Sequence, residues 1–221
     1  MKVYPNEAGG QTVELDPGDS MESVPSSHRG MLTEPLRRVW ANPTAHFADV
    51  AGRSAIAEMG EWLQRVTVGG ECKLLLNDAY LYERTTMAGF YFRSTTVQSG
   101  MIALPDESLS PRLPEALHHF YSLGGAVQWE PFGYAGGILR QQEHLPVAAL
   151  SVQRPRRKGF DPKVCVVWGN SAGGDVLIYT AGGKSALLSH ESGKVKPLGT
   201  IAEGLSWLFR QLLENRQPTF D

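Results

Sequence analysis

The chain has 221 residues, 42% of them hydrophobic, and a formal net charge of −2, which suits one domain with or without a sizeable extension. A near-neutral charge gives no global case for nucleic acid or an anionic membrane. No run approaches the roughly 20 apolar residues that span a bilayer, and Met1 to Gly30 is polar and acidic, without the positive-then-apolar pattern of a secretory leader. Cys72 and Cys165 are far apart and outside any C-x-x-C, so they read as buried thiols of a cytoplasmic protein. Paired Cys/His spacing is missing, so neither a metal nor a cofactor is expected.

In chain order, residues 1–27 set Glu7, Glu14, Asp16, Asp19 and Glu22 against the single base Lys2, among Gly, Pro and Ser. Such a stretch is expected to be a flexible acidic arm, because its scattered apolar residues bury too little to offset the ordering entropy. Residues 28–105 read as an N-terminal α/β extension, either packed on the core or forming a small subdomain. Leu32, Leu36, Val39 and Trp40, then Met59, Trp62, Leu63 and Val66, recur at helical spacing. Asn42-Pro43 breaks the first run and Gly69-Gly70 ends the second, so two helices are expected. From Lys73 to Leu104 the period changes to short aromatic and β-branched runs, with a turn signal at Asn77-Asp78; this reads as an antiparallel meander.

Residues 106–221 read as a second unit. Pro111 and Pro114 suit the first turn of a helix carrying Leu113, Leu117, Phe120 and Tyr121 on one face. Gly124-Gly125 is expected to stop it with a left-handed residue. His118 and His119 are adjacent, point apart on a helix and read as surface or boundary residues. Trp129, Phe132 and Tyr134 fall in a glycine-rich stretch, where aromatics suit either recognition or a loop folded over a core. Leu145 to Val152 reads as a strand. Arg154-Pro155-Arg156-Arg157-Lys158 is a basic cluster, too small a footprint for nucleic acid and better read as a solvated loop. Val176–Thr180, Ser185–Ser189 and Lys194–Lys196 form a meander with turns at 181–184 and 190–193. Thr200 with Glu203 makes a capping box for a last helix, whose stripe of Ile201, Leu205, Leu208, Phe209, Leu212 and Leu213 must bury against the sheet. The expected fold is α+β, a mostly antiparallel sheet flanked by helices.

The stretch between Val164 and Thr180 carries two incompatible readings. Gly169-Asn170-Ser171-Ala172-Gly173 fits the G-x-S-x-G elbow of a serine hydrolase, with Ser171 as nucleophile. That elbow needs a helix after the serine, and Val176-Leu177-Ile178-Tyr179-Thr180 is a strand by propensity. His190 is the one histidine downstream, no acid lies between Asp175 and His190, and the His-Gly-Gly of an oxyanion loop is missing. The alternative is a strand–turn–strand in which Gly174 takes an unusual φ and Asp175 accepts backbone N–H bonds across the bend. Gly183-Lys184-Ser185 looks like the end of a phosphate loop, but Ile178 stands where that loop requires a glycine.

Three blocks in order and spacing resemble the SUKH superfamily, over roughly residues 109–213. They are the Leu113-Pro114 helix ending in Gly124-Gly125, the pair Val166-Val167-Trp168-Gly169 and Gly174-Asp175-Val176-Leu177-Ile178-Tyr179, and Gly193-Lys194-Val195 with the closing Ile201 to Leu213 helix. The hundred or so residues ahead of the first block depart from that pattern. The resemblance implies a non-enzymatic protein that binds another protein, most simply an immunity protein that covers a cognate bacterial toxin. A regulatory scaffold, like the fungal members, is the second reading, and a hydrolase using Ser171 the third. In the favoured reading Trp168, Gly169, Gly174 and Asp175 are structural, while Trp129, Phe132, Tyr134, His190 and Glu191 are candidates for partner contact.

Overall fold

A computed structural model describes residues 1–5, 10–80, 85–129, 136–155, 157–171, 173–216 and 218–219, with backbone alone at 78–80, 85 and 86. Strand alternation organises it. In β2 (Gln11–Leu15), Val13 and Leu15 enter the main core while Thr12 and Glu14 take the opposite face. β2 lies between β1 (Lys2–Pro5) and β3 (Glu71–Tyr80), and β4 (Thr85–Arg93) and β5 (Gly100–Ala103) follow in order. β6 (Val127–Trp129), β7 (Gly136–Ile138), β9 (Val166–Asn170), β10 (Val176–Tyr179), β11 (Lys184–Leu188) and β12 (Val195–Thr200) continue the same sheet, and β8 (Leu145–Pro146) pairs with β9 beside β7. All described pairings are antiparallel. With its helices this is the expected α+β fold.

The arm is the main correction. Residues 2–5 and 11–15 are strands, because the free edge of β3 supplies the partner that composition cannot reveal: Thr12 faces Asn77 and Leu15 faces Leu74. Val13, Leu15 and Val24 are fully buried there. The acids are put to use: Glu14 takes the Lys73 ammonium at 2.6 Å and Lys2 at 3.3 Å. Burial raises the Glu14 carboxyl, yet these two ammonium groups outweigh it and hold it below its ordinary value. Likewise, the expected turn at Asn77-Asp78 is part of β3, where the Asn77 side chain pairs with the Thr12 hydroxyl across the strands.

The helices lie on one face. Between Ser26 and Gly69 the chain forms four segments where two were expected: α1 (Ser26–Arg29), α2 (Glu34–Trp40), α3 (Pro43–Arg53) and α4 (Ala57–Gly69). Thr33 caps α2 by accepting from the Leu36 N–H, and Asn42 caps α3 by accepting from Ala45 with Pro43 in the first turn. The Asn-Pro break therefore starts a helix as well as ending one. α5 (Glu115–Leu123) and α6 (Ile201–Leu213) complete the layer, and α6 carries the expected Thr200–Glu203 capping box. The core runs without a break across residue 106: Trp62 and Phe92 share it with Phe120, Trp168 and Phe209. β5 also pairs with β6, so the extension and the C-terminal unit are parts of one sheet.

On the other face, Val147, Phe160 and Cys165 pack on Val167, Val176, Ile178, Ala186 and Leu188. The segment that carries them was expected to include a strand over 145–152. Only Leu145–Pro146 pairs, and a single 3-10 turn at Val147–Ala149 follows. Both cysteines are buried and free.

Gly124-Gly125 and Gly204 show what close packing requires. Gly124 is extended at φ −154°, not left-handed as expected. Gly125 is the constrained one, since a Cβ there would stand 2.2 Å from the Leu104 carbonyl oxygen. At Gly204 a Cβ would meet the Ser185 hydroxyl, so this Ser–Gly pair lets α6 lie close on β11. Gly125→Ala is therefore expected to cost about 1–3 kcal/mol, because a backbone carbonyl must shift. Gly52→Ala, in α3 with nothing within 4 Å of the new Cβ, should gain about 0.5 kcal/mol from helix propensity. Urea midpoints of the two variants should move in opposite directions.

Candidate functional site

The bend between β9 and β10 is built from its own backbone. Ser171 N–H donates to the Asp175 carbonyl at 2.7 Å, Gly174 N–H to the Ser171 carbonyl at 3.0 Å, and Asp175 N–H to the Ser171 hydroxyl at 3.1 Å. Gly174 sits at φ +89°, where a side chain is strained. The His190 ring stands over it, and a Cβ at Gly174 would lie 3.3 Å from that ring. Asp175 Oδ1 accepts from both the backbone N–H and the Nδ1 of His190, each at 3.1 Å. The Gly-Asp pair thus shapes its own bend and also holds the turn between β11 and β12.

That second turn is fixed from every side. Gly193 N–H donates to the Ser189 carbonyl and Gln153 N–H to the His190 carbonyl, each at 3.0 Å. Gly193, at φ +67°, is packed so close that a Cβ would stand 2.3 Å from the Arg154 carbonyl oxygen. On this support the His190 side chain is 36% exposed and Glu191 82% exposed, with Glu191 Oε1 at 3.7 Å from His190 Nε2.

The other predicted residues separate. Trp129, expected in a recognition loop, is in β6 and 0% exposed, inside the helix-side core. Its neighbours Val127 and Ile138 pair across β6 and β7, so the stretch has strand partners that composition did not show. Phe132 and Tyr134 lie outside the described residues. Trp168 is buried in the same core, and Gly169 is needed for packing, since a Cβ would crowd the Gly137 carbonyl and Leu177.

Ser171 is 3% exposed, its Oγ serves as acceptor within the bend, and β10 rather than a helix follows. It makes no hydrogen bond to His190. The arrangement is that of a turn cap, not of a nucleophile displayed at a helix N-terminus.

Sequence reasoning missed the Asp175–His190 link. The register Val176↔Leu188, which the fold sets, places Asp175 opposite Ser189, beside His190. Sequence reasoning also missed a buried Tyr121–His144 pair. The Tyr121 hydroxyl donates to the Leu139 carbonyl and lies 2.8 Å from His144 Nε2, which leaves that nitrogen as the N–H donor to Tyr121. His144 Nδ1 is buried without a partner. Burial pushes the imidazole down to about 4 and the Tyr121 hydroxyl well above its ordinary value. No sequence signal marks this pair, since its members sit on separate elements.

Comparison with family models, curated proteins and solved structures gives no match. Among the described residues no helix is long and apolar enough to cross a membrane, and no three His, Cys, Asp or Glu side chains converge as for a metal ion.

Two outcomes follow from this geometry. A fluorophosphonate serine probe should leave the folded protein unlabelled, as it should Ser171→Ala; labelling of the native chain that the variant loses would establish a reactive Ser171. The unfolded chain binds a proton at His144 near 6.5 and the folded one only near about 4, so stability is complete above about 6.5 and falls as pH drops toward 4. At about 1.4 kcal/mol per pH unit the ceiling on this loss is about 3 kcal/mol. Urea unfolding between those pH values should show the slope, and His144→Gln should flatten it.

Proposed function

We propose that this chain is a non-enzymatic, cytoplasmic protein-binding protein, an immunity protein of the SUKH type that neutralises a cognate bacterial toxin by direct binding. The observation that carries the reading is the clamped turn of His190 and Glu191. A polar, exposed turn held by Asp175, Gln153 and Ser189 loses little conformational freedom when a partner covers it. Rim charges such as Glu191 steer and orient encounter. Neutralisation needs such complementarity and no reactive group. The reading is also supported by chain order: α5, the β9–β10 pair with its Gly-Asp bend, β12 and the closing α6 succeed one another as the resemblance implies.

The test is affinity capture of the tagged chain from its native cells, followed by variants. The expected result is a stoichiometric partner, the C-terminal domain of a large secreted polypeptide. His190→Ala/Glu191→Ala should bind it roughly 10- to 100-fold more weakly, as for contacts at a buried interface. Asp175→Ala should weaken it as well by releasing the turn. Equal capture by the native chain and both variants would remove this turn from the interface, and a chain that captures no stoichiometric partner would remove the immunity reading.

A further inference from the structure

Beside the β10–β11 turn lies a cleft of about 500 Å³, within the range of small-ligand sites. Three separate stretches of chain build it: the connector at Arg157-Lys158-Gly159-Phe160, the turn at Gly182-Gly183-Lys184, and the junction of β12 with α6 from Pro197 to Glu203. Arg157, Lys158 and Lys184 are all exposed and line it. None of the three is ion-paired among the described residues. Some cations elsewhere are matched, Arg38 with Glu34, Arg53 with Asp49, Lys73 with Glu14 and Arg210 with Glu58; what sets these three apart is that they converge on one cleft. In a chain of net charge −2, three unpaired cations on one cleft are a local excess that a bound anion would complete.

Much of the backbone around this site is already bonded. Gly183 N–H is bonded to the Thr180 carbonyl, Lys184 N–H to the Thr180 hydroxyl, and Ile201 N–H to the Gly183 carbonyl. At the start of α6, Thr200 N–H donates to Glu203 Oε2 at 2.6 Å and Glu203 N–H to the Thr200 hydroxyl. The helix N-terminus is therefore occupied by its own capping box. Ser185 is turned against Gly204 and takes no part. Recognition falls to the side-chain cations. Glu203 is the one acid of the lining, and the Thr200 N–H holds its carboxyl ionised. Three positive charges less one negative leave two. Phe160 and Pro197 give the cleft an apolar part beside them.

We propose that this cleft binds a phosphate monoester, whose dianionic group matches that charge and whose remainder rests on Phe160 and Pro197. Arginine and lysine grip such a group through charge-assisted hydrogen bonds. The group could come from a free small ester or from a phosphorylated side chain of a protein.

The test is amide-shift titration of the full chain at constant ionic strength, so that screening does not change, and near pH 8, where a phosphoester is fully dianionic. The probes are phenyl phosphate and a phosphoserine pentapeptide, with the unphosphorylated pentapeptide as control. Saturable shifts at Gly159, Phe160 and Gly182 to Ser185 are expected with at least one probe. Arg157→Gln/Lys158→Gln/Lys184→Gln should weaken binding by roughly tenfold or more, as loss of charge-assisted bonds does, while its other amides keep their native positions. Tighter binding of the phosphopeptide assigns the group to a protein side chain, and equal binding assigns it to a free ester. No saturable shift with either probe, equal binding of the unphosphorylated peptide, or wild-type affinity in the triple variant would overturn the proposal.

Discussion

The hydrogen-bond ladder that joins β1 to β12 constrains everything else in the molecule. Because each strand is antiparallel to the next, one row of side chains crosses the sheet from Lys73 through Tyr91, Met101, Gln128, Gly137, Asn170, Val176 and Leu188 to Val195. A slip of one residue anywhere would turn the buried set of that strand to the wrong face. With the register fixed, one face presents Val13, Leu74, Phe92, Val127, Trp168 and Leu187 to the helices. The connector around Phe160 and Cys165 closes the other face near β9 to β11.

Small residues set the approach of the layers. Gly100 admits the Trp62 ring, and the Trp62 indole N–H is satisfied by the Gln98 carbonyl at 2.9 Å. Gly204 over Ser185 does the same for α6. Edges are managed in a way consistent with a discrete sheet: Pro5 closes β1, and Pro197 with a register shift interrupts β12.

Electrostatics divides the surface more sharply than the net charge suggests. At the β1 end Glu14, Asp16 and Asp19 are used internally, Glu14 joining Lys73, Lys2 and the Tyr4 hydroxyl at 3.2 Å, Asp16 meeting Lys73 and Asp19 the N-terminal ammonium. At the β10–β12 end two turns lie at opposite tips of neighbouring hairpins. One presents His190 and Glu191 on the Asp175 clamp, and the other places Lys184 beside Arg157 and Lys158. The same short strands thus support a polar turn at one end and a basic cleft at the other.

Sequence by itself determined the elements whose cause is local. The α6 stripe and its Thr200–Glu203 box, the β10–β11–β12 meander, and the Gly174-Asp175 bend all follow from residue spacing and turn chemistry, which act within a few residues. Tertiary structure decided what depends on a distant partner. Residues 2–5 and 11–15 are strands because β3 offers an edge, Trp129 is core because β5 and β7 flank it, and Asn77 is mid-strand because Thr12 stands opposite. Asp175 reaches His190, and Tyr121 reaches His144, only once register and layer packing bring them together. A burial or hydrogen-bond gain between residues far apart in the chain leaves no periodic mark in either segment, so the fold alone reveals it.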